Sequence, residues 1–294
     1  MLPELTRELE SDCQASGRHH QPDVIIRTGK LQVSNLQPTD SRLLCSIEKN
    51  FAYLYWHEVG TVLIKDGQEI IVDLIGDIDY KVLRIMLLGA AFGLLLHQRG
   101  FIVIHGNSVN INGKGVCFVG NRGFGKSTIS AGFHFKGYSL ISDDITAIRL
   151  NNSSKACLIP GYGRLKLWQD SVEALGLKSQ DLSLVHPQYE KREYLIDGSL
   201  STQPVSLDCI YILDCAEELA IESIPPTEAL FKVMQNCYCT RFGTEMHKTL
   251  SAAEHFHQGS SLLNCSKVFT LKRTNDLTAL PQLIELVEQH IAKL

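Results

Sequence analysis

The run Gly120-Asn121-Arg122-Gly123-Phe124-Gly125-Lys126-Ser127-Thr128 matches G-x-x-x-x-G-K-[ST] without departure. Its residue types point to phosphate chemistry. Gly120, Gly123 and Gly125 permit backbone turns that aim successive N–H groups inward as an anion nest. A helix opening at Lys126 adds the partial positive charge of its N-terminus. Lys126 is placed to reach the β and γ phosphates of ATP, and the Ser127 hydroxyl to ligate Mg²⁺. All nine residues are therefore expected to line the nucleotide site. Asp143 and Asp144 follow at the end of the apolar run Tyr-Ser-Leu-Ile-Ser. One carboxylate can serve magnesium opposite Ser127. A second has a task if an alcohol must be positioned and must lose its proton, which makes Asp144 a candidate base and the chain a kinase rather than a plain ATPase. The competing reading is that Asp144 caps a loop through its own backbone.

These groups need elements to deliver them. "GVCFVG" reads as a buried strand leading into the loop, and Lys126 to Phe135 as a helix stopped by Gly137. "YSLISDD" is the next strand. The helix before it is short, so this strand is expected beside the one that feeds the loop. "FIVIHGNSVNING" reads as two strands turned at Asn112-Gly113. Upstream, "DVIIRT", "YLYWHEV", "TVLIKDG" and "EIIVDLI" are strand-like, with a hairpin at "KDGQE". "IMLLGAAFGLLL" is shorter than the ~20 residues that cross a bilayer. It sits in a helix of about Tyr80 to His97 that reads as buried on all sides. Downstream come a strand "VSLDCIYIL", a helix "PPTEALFKVMQNCY", a strand "SKVFTLKR" and a final amphipathic helix. Leu283, Ile284, Leu286, Val287 and Ile291 fall on one face of that last helix. The boundary is drawn at residue 100. A smaller α+β lobe precedes an α/β domain over 101–294.

The 294 residues carry a net charge of −4, and 44% are hydrophobic. That balance gives no electrostatic reason for a nucleic-acid partner. The N-terminal stretch is polar, so no targeting peptide and no membrane attachment are expected. Nine cysteines, an odd number, read as reduced thiols in a cytoplasmic protein. Cys237 and Cys239, with His247 beyond, offer a zinc reading. Its rival, and the expectation, is a pair of alternating buried strand positions.

The stretch from His105 to Asp144, "HGNSVNINGKGVCFVGNRGFGKSTISAGFHFKGYSLISDD", resembles the core of the HPr kinase/phosphorylase family. A His-Gly precedes a strand pair, then come the phosphate loop and a strand ending in Asp-Asp. "LLLHQRG", "PGYGRLKLWQDSVEALGL" and "VFTLKRTNDLTALPQLIELVEQHI" are also similar to HPr-kinase-like chains. The resemblance implies a P-loop kinase core with a mixed sheet, related to phosphoenolpyruvate carboxykinase. It implies a reaction that uses ATP and Mg²⁺ to phosphorylate a serine on a small carrier protein. It also implies site residues: Lys126 and Ser127 for phosphate and metal, Asp143 for metal, Asp144 as base, and His105 beside that base. The family's "PVRPGRN" and "EIRGIG" type segments have no counterpart here. In their place "PGYGRLKLW" offers Arg164 or Lys166 as the cation for the transferring phosphoryl group, with Arg241 a further candidate. This departure implies a divergent branch acting on a serine of a protein or precursor peptide, such as a lasso-peptide precursor. Residues 1–100 would then be the peptide-binding part. Two alternatives stay open: a nucleotide-binding regulator or scaffold without transfer, and a kinase of a small hydroxylated metabolite. The family often forms hexamers, which leaves self-association of this chain open.

Overall fold

The computed structural model describes residues 22–32, 43–151, 155–196 and 198–294. It divides into two compact units, one holding the described residues up to Arg99 with Phe242–Ser251, the other Gly100–Arg241 with Ala252–Leu294.

The first unit is a five-stranded sheet of β1 (Ile25–Thr28), β2 (Leu43–Ile47), β3 (Phe51–Trp56), β4 (Gly60–Lys65) and β5 (Glu69–Leu74), followed by helix α1 (Tyr80–Gln98). The strand order is β1-β5-β4-β3-β2, with β1 parallel to β5 and the other pairs antiparallel. Asp66 and Gly67 turn β4 into β5 at φ of 53° and 64°, closed by Gln68 N–H to Lys65 O at 3.0 Å. Positive φ at both central residues gives the turn a twist that suits a hairpin. Leu54, Val62, Ile64, Ile70 and Val72 of the sheet are buried, as are Leu83, Met86, Leu87, Leu94 and Leu95 of α1. Gln98 fixes the end of α1 by accepting from Gly67 N–H at 2.9 Å. A π turn at Leu87–Ala91 interrupts α1.

α1 runs one residue past the helix expected from sequence and is less buried than expected. Its 19 residues have a mean hydropathy of 1.4 and are half buried in the fold. By length and composition it is long and apolar enough to cross a membrane. Lys81 and Arg84 are the only charged residues in the helix, both before the twelve-residue apolar stretch that starts at Ile85.

The second unit opens with the hairpin β6 (Ile102–Ile111) and β7 (Lys114–Val119), turned at Asn112 and Gly113 with φ of 53° and 87°. Helix α2 (Lys126–Phe135), β8 (Ser139–Ser142), β9 (Ile145–Leu150) and β10 (Ala156–Ile159) follow. A three-stranded sheet is built from β11 (Arg164–Trp168), β12 (Ser183–His186) and β13 (Tyr189–Leu195), with helix α3 (Gln169–Ala174) after β11. Then come β14 (Val205–Cys215), β15 (Ala220–Ser223), α4 (Pro226–Gln235), α5 (Ala252–Cys265), β16 (Lys267–Arg273) and α6 (Leu280–Lys293).

The main sheet is mixed, in the order β10-β9-β6-β7-β14-β16-β15, with β8 also on β6. β7, β14 and β16 run parallel. β7 is buried on both faces, which is why it reads as an unbroken apolar run. Val116 and Phe118 face one core with Ile129 and Phe133 of α2 and Ile284 and Val287 of α6. Cys117 and Val119 face another with Val233 of α4 and Leu262 of α5. Phe118 stacks on Phe133 and on Tyr211, each at 5.7 Å, and so seats α2 on the sheet.

Two expectations are corrected. β8 pairs with β6 and not with β7, because β7 is already flanked by its hairpin partner β6 and by β14. β8 is antiparallel to β6, and β6 to β7, so β8 and β7 still point the same way. Their C-terminal ends therefore open on the same side of the sheet. The second correction concerns Cys237 and Cys239. Cys237 makes an isolated bridge to Ile104, and the chain then enters 3₁₀ turns over Tyr238–Lys248 instead of a strand. The side chains of Cys239, Arg241 and His247 lie outside the described ones.

Candidate active site

The glycine-rich loop joins the buried end of β7 to the first turn of α2. Gly123 and Gly125 hold φ of 88° and 83°, which a side chain would strain. The Lys126 ammonium folds back under the loop, donating to Gly120 O at 2.7 Å and Asn121 O at 3.1 Å. Arg273, at the end of β16, braces the loop from Phe124 O at 2.8 Å and Gly123 O at 3.3 Å. Phe124 packs against the core beneath. The Thr128 hydroxyl turns away to Ser171 of α3 at 2.8 Å. Arg122 is exposed, its guanidinium 6.0 Å from the Trp168 ring.

The aspartates sit where β8 turns into β9. Asp143 Oδ1 accepts from Ser127 Oγ at 2.9 Å and from Asn107 Nδ2, while Oδ2 accepts from Lys166 N–H at 3.1 Å. Asn107 is 1% exposed, and its Oδ1 faces Asp144 N–H at 3.4 Å. Asp144 aims elsewhere. Its Oδ2 takes the Lys166 ammonium at 3.0 Å, and its Oδ1 lies 3.3 Å from His105 Nδ1. That nitrogen also lies 3.1 Å from the Asp144 carbonyl oxygen. Both neighbours are acceptors, so His105 Nδ1 carries a proton.

The neighbouring carboxyls differ electrostatically. Burial pushes Asp143 above the ordinary carboxylate range, and Lys166 only partly offsets it. Burial also pushes Asp144 upward, but Lys166 and then His105 outweigh it and hold Asp144 well below that range. Burial lowers Lys126, against the pull of Asp144. Burial would lower Lys166 too, but Asp144 and Asp143 reverse the direction and raise it. Lys191 on β13 is lowered, chiefly by burial. Burial pushes the nearby Cys117 thiol up to about 12, so it is no nucleophile at neutral pH.

Of the residues predicted from sequence, the structure links Ser127, Asp143, Asp144 and His105 into one cluster, while the Lys126 ammonium is bonded to the loop carbonyls and feels Asp144 and Asp143 only through their charge. Arg164 is turned to Glu193, with Nη1 to Oε1 at 2.7 Å, while Lys166 is the cation on Asp144. Sequence reasoning missed Asn107, Lys191, Trp168 and Arg273. Asn107 had a signal. It stands two residues from His105 on one strand, hence on the same face. Trp168 had the same signal, two residues from Lys166 on β11, whereas Lys191 and Arg273 come from distant strands.

Ser127 Oγ and Asp143 Oδ1 are adjacent hard oxygen donors, a donor set that suits Mg²⁺. Among the described residues no group of three or more His, Cys, Asp and Glu side chains is placed to hold a metal by itself.

No protein-family model matches the chain, and no curated protein matches it. Among solved structures, it is similar to the HPr(Ser) kinase/phosphatase from Coxiella burnetii. The identity is 15%, the TM-score 0.34, and the similarity covers 65% of this chain and 97% of that one.

Proposed function

We propose that this chain is an ATP- and Mg²⁺-dependent kinase that transfers the γ-phosphoryl group to a serine hydroxyl of a protein or precursor peptide. One observation carries the reading: the loop serine, Asp143, Asp144, Lys166 and His105 are linked in sequence by hydrogen bonds and ion pairs. Phosphate-binding and proton-accepting groups thus share one rigid frame.

In this reading the loop amides and Lys126 hold the β and γ phosphates. Ser127 and Asp143 hold Mg²⁺, which when bound neutralises phosphate charge. Asp144 is anionic in this reading, because Lys166 and His105 hold its carboxyl well below the ordinary carboxylate range. A carboxylate so stabilised is a weak base. That is adequate for phosphoryl transfer, in which little proton movement precedes the transition state and positioning dominates. Asp144 orients the hydroxyl and takes its proton late. The serine in a peptide or protein is carried by the sequence resemblance.

The test is transfer of label from γ-labelled ATP, with Mg²⁺ and an extract of the source cells, by the wild type and by Asp144→Asn. Label should appear on a discrete protein or peptide with the wild type. The variant should lose roughly 10²–10⁴-fold in rate while still binding ATP. ATP binding without any labelled acceptor would favour the nucleotide-binding regulator, and equal labelling by Asp144→Asn would remove Asp144 from the chemistry.

A further inference from the structure

The register of the small sheet sets Lys166 opposite Glu193 and Trp168 opposite Lys191. Side chains alternate along a strand, so Arg164, Lys166 and Trp168 share one face of β11, and Lys191 and Glu193 share the adjoining face of β13. Lys191 is thus the diagonal neighbour of Lys166, within reach for long side chains. Two of the cations on this face are matched: Arg164 by Glu193 at 2.7 Å, and Lys166 by Asp144 at 3.0 Å. Lys191 is not. Among the described residues its ammonium has no hydrogen bond or ion pair, and its contact is the Trp168 ring, 5.6 Å from Nζ to centroid. A half-buried ammonium without a hydrogen-bonded counterion is costly to keep. Asp143 and Asp144 attract it at longer range, and Arg122 of the glycine-rich loop shares its ring.

We propose that Lys191 is a catalytic residue that contacts the γ-phosphoryl group during transfer and stabilises its charge. The proposal rests on the kinase reading above. In the step, the bond from the γ phosphorus to the β–γ bridging oxygen breaks, and a bond from phosphorus to the acceptor oxygen forms. The acceptor's proton passes to Asp144, and ADP leaves with the bridging oxygen. The other cations have other duties. Lys126, at the loop itself, holds the phosphates in the kinase reading, while Lys166 is paired with Asp144 and Arg164 with Glu193. Arg122 shares the Trp168 ring but is exposed, where water screens its charge. Lys191 stands on a strand, half-buried, where a fixed charge acts more strongly on charge developing in the transition state.

Hydrolysis of γ-labelled ATP with Mg²⁺ tests this, because water is then the acceptor and no substrate need be known. Lys191→Met should lower kcat by about 100-fold while the Kd for MgATP, from equilibrium binding, changes by less than about threefold. Lys191→Arg should keep most of kcat, and added methylamine should partly restore Lys191→Met. Retention of activity by Lys191→Arg shows that the site tolerates substitution, so loss in Lys191→Met is not misfolding. Full kcat in Lys191→Met would overturn the proposal alone. A loss confined to Kd would overturn it too, by making Lys191 a ground-state contact. A wild type that turns over ATP with neither water nor any acceptor would overturn the kinase reading and this proposal together.

Discussion

Replacing Lys166 by Met should move the acid limb of activity. The Lys166 ammonium lies 3.0 Å from Asp144 Oδ2, with the two side chains 18% and 31% exposed. At an effective dielectric of about 20, unit charges at that distance attract by roughly 5 kcal/mol, an upper bound. Water at the partly exposed carboxylate reduces this, and one opposite charge at such range shifts a carboxyl by about 1–3 pK units. The direction is fixed by the balance on Asp144. Burial raises its carboxyl, Lys166 leads the groups that lower it, and His105 adds less. Without Lys166, burial gains and the carboxyl climbs. If Asp144 must be ionised for transfer, its own step in the acid limb of kcat/KM lies below the assayable range in the wild type, and a limb seen within that range belongs to Asp143, which burial raises. In Lys166→Met the Asp144 step should move up by about 1–3 pH units, with His105 still holding it down in part. The assay is the pH profile of MgATP turnover for wild type, Lys166→Met and Lys166→Arg. The arginine variant keeps the charge and should keep the wild-type limb. Superimposable acid limbs for wild type and Lys166→Met would refute the reasoning, because Lys166 would then not govern the charge of Asp144.

Asn107→Ala strips partners from Asp143, Ser127 and the Asp144 N–H in a fully buried place, and should cost about 1–3 kcal/mol in urea unfolding. Gly115→Ala should lower the thermal midpoint through a loss of roughly 1–3 kcal/mol or more, since its Cβ would sit 2.2 Å from the Ser206 carbonyl oxygen and force β7 from β14. Burial pushes Glu288 upward, but the Lys136 and Tyr138 bonds outweigh it and hold it low. A lowered carboxyl gives stability that is present above the unfolded value of about 4.3 and is lost as pH falls through the folded value. Lys136 is exposed, so Glu288→Gln should cost less than about 1 kcal/mol at pH 7, with the difference fading toward pH 3 in denaturant titrations.

What could be read from the sequence was local. Asn112-Gly113 and Asp66-Gly67 announce hairpins because few residues accept positive φ, and both turns form. The loop before α2 was legible because glycines, lysine and serine at fixed spacing leave few backbone solutions. Strand neighbours outside the hairpins were not legible. The chain from α2 to β8 is short, yet β8 went to β6, because β7 was claimed on both edges by strands from residues 102–111 and 205–215. The cations followed the same rule. Arg164 and Lys166 alternate with buried leucines, so sequence put both on one face but could not choose between them. The choice was made by β13, which carries Glu193 to Arg164 and leaves Lys166 for Asp144. Lys191 was invisible for the same reason, since its place is set by register with Trp168.

The adjacent aspartates diverge because the backbone turns between them. Ile145 N–H reaches back to Asp143 O at 2.8 Å around an Asp144 held at φ +71°. Such a three-residue turn is rare and strained. It sends one carboxylate to Ser127 and Asn107 and the next to Lys166 and His105. Asp and Asn accept positive φ more readily than other residues with a side chain, for which it costs roughly 1–2 kcal/mol. Asp144→Ala would therefore mix a backbone penalty with the loss of charge. Asp144→Asn keeps the turn and removes the charge alone. A loss of phosphoryl transfer in the asparagine variant, with unfolding free energy lowered only by the lost ion pairs, then reports on chemistry at Asp144 and not on the turn that carries it.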